Sequence, residues 1–295
     1  MDGLGNAGTP EERRTGIGGS DAAAALGLSP WVTPYNLWEL KRGLAPPPEE
    51  NEPMLWGTLL EDVIRREYAR RAGVEARPVK EMIRHPQHAF MFAHLDGEII
   101  GLQAKAILEV KTARTAVGWG EEGTDEIPLH YLIQVHHSMV VTDAELCDVA
   151  VLIGGQDFRV YHVDRDAEIE QRVTEGEALF WDMVTAGEPP PPSSLQDAVR
   201  RWGRSDAQGT VVAGRPELDA ISTLRSLKLQ KAKMAVMEEA AKTIVMALMG
   251  DDGMNLVDGG GQLLATWKLN NGRKGYTVAP QEPQRIFLVK ESADD

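Results

Sequence analysis

Cysteine is nearly missing from this sequence. Cys147 is the single one in 295 residues, which excludes an intrachain disulfide and any zinc or iron–sulfur site built from several cysteines. A lone thiol fits a reducing compartment. No apolar run reaches the ~20 residues of a membrane span, and the opening MDGLGNAGTPEERR lacks the hydrophobic region of a secretory leader. A cytoplasmic protein without membrane association is therefore expected. Positive charge is also short, with 31 Lys and Arg against 45 Asp and Glu, a net of −14. That balance argues against a protein that coats nucleic acid non-specifically, while leaving room for one local basic surface. No internal repeat is visible.

What is present describes an ordinary globular chain, 42% hydrophobic and 26% charged. SDAAAALG (20–27) predicts a short helix capped by Ser20 and stopped by Gly27. TPYNLWELKRG repeats the design with Thr33, Pro34 and Gly43. After a Pro/Glu loop at 45–53, a helix is expected from Met54 to Arg71, with Leu55, Leu59, Val63 and Ile64 on its buried face. Residues 79–111 read as about three antiparallel strands, followed by a helix at 128–142. CDVAVLIGG and DFRVYHVD form a hairpin around Gly154-Gly155, and a helix over 165–187 closes at Gly187. The proline run 188–194 is a stiff linker and sets the domain boundary, dividing 1–194 from 195–295. Beyond it, 215–250 predicts one long amphipathic helix or a helical pair, with Leu218, Ile221, Leu224, Met234, Met237, Ala241, Ile244 and Leu248 apolar. Residues 262–279 predict a β-hairpin turning at Asn270-Asn271-Gly272, and the ESADD end is expected to fray.

The chemistry centres on AILEVKT (106–112). In a strand Glu109 and Lys111 share one face while Leu108 and Val110 pack behind. Alone, the pair reads equally as a surface ion pair. Paired with other carboxylates it suits metal-dependent hydrolysis, a carboxylate holding a hard cation and an ammonium orienting water or stabilising phosphate charge. Asp96, before Gly97, is one partner, although Asp-Gly also marks a plain turn. Glu61 on the long helix is another, or else a solvated surface acid. Gln134 belongs to a polar stripe, Tyr131, Gln134 and Ser138, on the 128–142 helix. His136 and His137 point about 100° apart on that helix and do not suit a shared ion. Trp31, Trp38 and Trp56 are expected in the core, or else beside a DNA channel, where an aromatic stacks on or wedges between bases. Arg13, Arg14, Lys41 and Arg42, with Arg65, Arg66, Arg70 and Arg71, offer a basic face for DNA or a solvated face paired with Asp62 and Glu67.

Five blocks in order carry a resemblance: RRTGIGGSDAAAALGLSPW with TPYNLWELKRG, WGTLLED, AHLDG, LEVKTA and YLIQVHHSMVV. Over about 12–185 the chain resembles the YqaJ-type viral recombinase nucleases, close to phage lambda exonuclease, within the PD-(D/E)xK superfamily. The resemblance implies an α/β (α+β) restriction-endonuclease-like core, a small mixed sheet flanked by helices, here followed by a helical and β-hairpin accessory region. It implies that Asp96 and Glu109 bind metal, that Val110 offers its carbonyl, that Glu61 completes a two-metal site, and that Lys111 and Gln134 serve catalysis. The metal would be Mg²⁺, with Mn²⁺ able to substitute. Arg13 or Arg14 with Ser20 resembles the pair that holds a DNA 5′-phosphate. Leu95 stands where the superfamily has proline. The expected activity is 5′-to-3′ exonucleolysis of linear duplex DNA in phage recombination in a bacterial host, beside a single-strand annealing protein, from a homo-oligomer such as a ring. A structure-specific endonuclease or nickase on the same fold is the alternative, and an idle DNA-binding scaffold the third reading.

Overall fold

A reciprocal cap starts the described chain. The Thr9 hydroxyl accepts the Glu12 N–H at 3.2 Å, and the Glu12 carboxylate accepts the Thr9 N–H at 2.7 Å, opening α1 (Pro10–Arg14). The computed structural model describes residues 9–206, 208–251 and 253–268. They fall in two units, divided between Arg201 and Trp202.

In the first unit β1 (Ile17–Gly18) leads directly into α2 (Gly19–Ala25), α3 (Pro34–Lys41) and α4 (Glu52–Ala72). Ser20 is not the cap of α2. Gly18 takes that place, and the Asp21 carboxylate reaches back to the Gly18 N–H at 3.2 Å. A glycine is required just before it, since a Cβ on Gly16 would lie 2.1 Å from the Phe90 carbonyl oxygen. α4 starts under the Asn51 side chain and stops at Gly73, whose φ of 67° is left-handed. Its inward face differs from the expected one. Ile64 and Tyr68 are buried and Leu60 is partly so, whereas Leu59 and Val63 are exposed.

The expected strand region divides between two sheets. β2 (Glu75–Arg77), β3 (Ile83–Arg84), β4 (Met91–Ala93), β5 (Gly97–Ile100) and β6 (Ala106–Ala113) precede α5 (Leu129–Thr142), β7 (Leu146–Ile153) and β8 (Asp157–Asp164). β1, β4 and β3 form a small sheet, with β1 parallel to β4 and β3 antiparallel to it. The larger sheet runs β2-β5-β6-β7-β8. It is antiparallel except for β6 and β7, which are parallel and joined through α5 as a crossover requires. The β7–β8 hairpin turns where expected, with Gly154 and Gly155 both at positive φ.

Both faces of this sheet are covered. Ile64 and Tyr68 of α4 meet Ile99, Ala106, Leu108 and Val110, while Val135 and Met139 of α5 meet Ile107, Cys147, Val149 and Val151. Burial on both sides explains why β7 is apolar at nearly every position. Truncating fully buried Met139 to Ala would cost about 2–5 kcal/mol. Burial also pushes the Cys147 thiol up, so the lone cysteine is a core residue. α6 (Ala167–Ala186) follows, capped by Asp166 and closed by Gly187.

The first unit runs past the expected boundary at Ser194, through α7 (Leu195–Trp202). Asp197 ties that helix down. Its carboxylate accepts the Thr33 hydroxyl at 2.8 Å and the Ser193 N–H at 3.1 Å.

In the second unit α8 (Arg215–Met249) is one continuous helix. Leu218, Leu224, Met234, Met237, Ile244 and Leu248 are all exposed on it, because its apolar side chains are spread around the circumference and define no single stripe. β9 (Asn255–Val257) and β10 (Leu263–Thr266) pair antiparallel. This hairpin precedes the expected one, whose turn at 270–272 lies outside the described residues. No helix among the described residues is long and apolar enough to cross a membrane.

Candidate active site

The site forms where β5 stops. The β5–β6 ladder pairs Ile99 with Ala106, Glu98 with Ile107 and Gly97 with Leu108. One further step sets Asp96 opposite Glu109, like charges facing across one strand pair, an arrangement that is destabilising without a cation between them. β5 ends at Gly97, and the Asp96 side chain takes over its ladder role, Oδ2 accepting the Val110 N–H at 2.8 Å. Arg65, buried on α4, donates to the Asp96 carbonyl at 3.3 Å and also pairs with Asp62.

Glu109 is 4% exposed and belongs to a closed triangle. Its Oε1 accepts Lys111 Nζ at 2.5 Å and Gln134 Nε2 at 2.6 Å, and Lys111 Nζ also donates to Gln134 Oε1 at 3.2 Å. Lys111 Nζ lies 5.0 Å from the centre of the Tyr131 ring. The stripe Tyr131, Gln134 and Ser138 thus faces inward. Glu61 comes from α4 on the other side of the sheet. Gly57, one turn earlier, faces Thr112 of β6, with 3.9 Å between a Cβ placed there and Thr112 Oγ1.

The electrostatics are unbalanced. Burial raises the Asp96 carboxyl well above its ordinary range, and Glu109 and Glu61 raise it further against the pull of Lys111. Burial likewise raises Glu61, with Glu109 and Asp62 adding to it and Arg65 opposing. Burial works to lower Lys111, yet Glu109 and Asp96 outweigh it and its ammonium is held above the usual value.

Among the described residues no group of three or more His, Cys, Asp or Glu side chains is arranged to hold a metal. The facing pair Asp96 and Glu109 is therefore the unit to test against an ion. Their hard oxygens, mutual repulsion and burial fit Mg²⁺, which takes one or two carboxylates and keeps its waters. Glu61 stands within electrostatic reach of both.

Arg13 and Ser20 meet, with Arg13 Nη2 donating to Ser20 Oγ at 3.0 Å. Arg14 instead lies over Gly43. Buried Lys41 fixes the pair from beneath, donating to Asp21 Oδ2 at 2.6 Å and to the Arg13 carbonyl at 2.5 Å. Gly19 packs α2 against α5 beside the Glu109–Lys111–Gln134 triangle. A Cβ there would lie 3.2 Å from both Gln134 Cγ and Ser138 Oγ.

The other expected basic residues are engaged internally. Arg66 pairs with Asp62, Arg70 and Arg71 with Glu67, and Arg42 donates to the Val184 carbonyl at 3.3 Å. Trp38 is buried, but Trp31 and Trp56 are 70% and 54% exposed, so only one of the three tryptophans is a core residue. His137 serves the fold. Its Nδ1 faces Glu177 at 2.8 Å and its Nε2 faces the Phe92 carbonyl at 2.8 Å. Glu177 and the Phe92 carbonyl raise the His137 pKa against the cost of burial, and burial in turn raises the Glu177 carboxyl.

Sequence reasoning missed Arg65 as the support of Asp96, and Asp21 with Lys41 as the support of Arg13. The arginine looked like one of a surface row. For Asp21 a signal existed, an acid three residues after Gly18 at the start of a helix.

Residues 11–145 match the model of the YqaJ-like viral recombinase domain. The "Uncharacterized protein YqaJ" of Bacillus subtilis (strain 168) is 42% identical over 183 residues, 61% of this chain and 56% of that protein. The chain thus spans about half the length of that curated relative. Among solved structures, an alkaline exonuclease (LHK-Exo) from Laribacter hongkongensis shares the fold, with a TM-score of 0.50 and 18% identity over 60% of this chain and 92% of that one. Arg13, Ser20, Glu61, Asp96, Glu109, Lys111 and Gln134 all lie inside the stretch, residues 11–145, that is similar to the YqaJ-like viral recombinase domain.

Proposed function

We propose that the chain is a metal-dependent DNA nuclease acting 5′ to 3′ on linear duplex ends in phage-type recombination. One observation carries the reading: where β5 ends, Asp96 lies within electrostatic reach of Glu109, with Lys111 and Gln134 bound to Glu109. The family match and the shared fold with an alkaline exonuclease support it.

Asp96 and Glu109 would hold Mg²⁺, with the Val110 carbonyl and Glu61 as further oxygen donors toward a second ion and Mn²⁺ as a substitute. When bound, the ion supplies Lewis-acid polarisation of the phosphodiester and a more acidic water. Gln134 fixes the Glu109 carboxylate. Lys111, kept protonated by Glu109 and Asp96, places a positive charge where negative charge develops on the phosphate. Arg13 with Ser20 would receive the 5′-phosphate, the guanidinium binding it through two N–H groups. By resemblance to the family, a single-strand annealing protein is a partner and the chain assembles with its own copies. Residues 202–295 are an accessory unit outside the chemistry.

The test is digestion of end-labelled linear and closed circular duplex DNA, with and without Mg²⁺. Metal-dependent shortening of the linear substrate, faster with 5′-phosphate than 5′-hydroxyl ends, is expected. Efficient cutting of closed circles with equal rates at both ends would transfer the activity to an endonuclease. No hydrolysis under any metal would leave a scaffold.

A further inference from the structure

Beside Lys111 an aromatic series runs outward to solvent. The Tyr131 ring, which lies 5.0 Å from Lys111 Nζ, has its centre 4.1 Å from that of His130. Trp31 stands edge-to-face with His130 at 4.6 Å and 6.5 Å from Tyr131. A tryptophan with no role would be expected to bury its large apolar surface, yet Trp31 is 70% exposed. It is also held in place. Ser29 Oγ accepts the backbone N–H of both Trp31 and Val32 at 3.2 Å, so the indole projects from a fixed turn.

His130 backs the indole: its Nε2 is shielded from solvent, and its ring packs between Trp31 and Tyr131. The open face of the fixed indole matches the plane of a nucleobase.

We infer that Trp31, with His130, is a nucleobase platform that receives the base of the terminal nucleotide while its phosphodiester lies at Lys111. This rests on the nuclease reading for the position of the phosphodiester. Every base has a π face, so the platform holds terminal nucleotides of any sequence, as an exonuclease that advances one residue at a time requires. Trp31 binds and orients the strand and takes no part in bond breaking.

The full-length protein is titrated in EDTA, where hydrolysis is blocked, with a 5′-phosphorylated duplex. A second duplex is identical except that its 5′-terminal nucleotide lacks a base. Stacking on an aromatic side chain is worth enough for the wild type to prefer the first duplex by about tenfold in Kd. Trp31→Ala should erase that preference, and Trp31→Phe should keep most of it. Equal affinity of the wild type for the two duplexes would overturn the platform, as would a Trp31→Ala variant that weakens both alike. Mg²⁺-dependent hydrolysis by the wild type is scored separately. A protein that prefers the base but never cleaves refutes the nuclease reading and keeps the platform; one that cleaves and ignores the base does the reverse.

Discussion

Two buried charge clusters lie in the first unit, and they are built on opposite principles. Glu177 faces His137, and Asp21 faces Lys41 and, at 3.6 Å, Arg13, so each anion meets a cation, and the further donors of His137 and Lys41 meet backbone carbonyls. Around Lys111 the match fails. Asp96, Glu109 and Glu61 crowd Lys111, and burial, with the neighbouring carboxylates adding to it, raises Asp96 and Glu61. Balanced clusters of this kind hold elements in register. An unbalanced one is costly to the apo fold and poised for something positive, which is how reactive sites are commonly recognised.

The sharpest way to break this contrast is to neutralise the unbalanced cluster. Glu109→Gln or Asp96→Asn removes a negative oxygen at nearly constant volume, so metal-dependent hydrolysis should fall to background while circular dichroism stays native. Activity within about twofold of wild type, still requiring metal, would sink the assignment of the ion to this pair. In the balanced cluster the same kind of edit should strike stability. His137→Ala leaves Glu177 buried and unpaired, at about 3–5 kcal/mol, measured by denaturant unfolding. Because the folded His137 pKa is raised above 6.5, its contribution is complete below that value and fades as pH rises through the folded one. A variant as stable as wild type at pH 6 would mean that the pair is neutral.

Lys111→Ala comes next in size. An ammonium that stabilises reacting charge without ligating metal should cost about 10²–10³ in rate at saturating Mg²⁺. A metal titration separates this from a structural role, in which affinity would fall and the saturated rate would hold.

The smallest effect is a gain. Ionising Asp96 costs the apo fold, since its folded pKa is raised above 3.8, so stability declines as pH climbs from the ordinary aspartate value through the raised one. Asp96→Asn keeps an acceptor for the Val110 N–H and removes the charge. In EDTA at pH 8 it should raise Tm by roughly 2–4 °C, the size of about 1 kcal/mol in a unit of this length. The gain should vanish near pH 3. A loss at pH 8 would show that Asp96 is comfortably paired as an anion.

The residues of the candidate site were mostly readable as residue types in order, since the strand period alone puts Glu109 beside Lys111. What periodicity does not carry is how far a strand extends. The residues from Phe90 to Ile100 look like one apolar strand, yet they serve two sheets with Asp96 in the break between them. Leu59 and Val63 misled for a related reason. The inward face of α4 is shared by Arg65, Ile64 and Tyr68, with Glu61 half-buried, while Leu59 and Val63 point outward. Trp31 misled because size predicts burial unless a partner outside the chain is expected. The long-range supports, Lys41 under Arg13 and Asp197 under Thr33, join segments whose meeting only the fold decides.

Asp96 holds one last lesson, for reading descendants. Its carboxylate closes the sheet on Val110, so an acceptor at this position serves the architecture apart from any chemistry. A lineage that had abandoned cleavage would still be under pressure to keep an acceptor there, and the surviving aspartate would testify to nothing but good carpentry. Lys111 is the better witness. Among the described residues its hydrogen bonds go to Glu109 and Gln134, both members of the candidate site, so it has no comparable architectural duty.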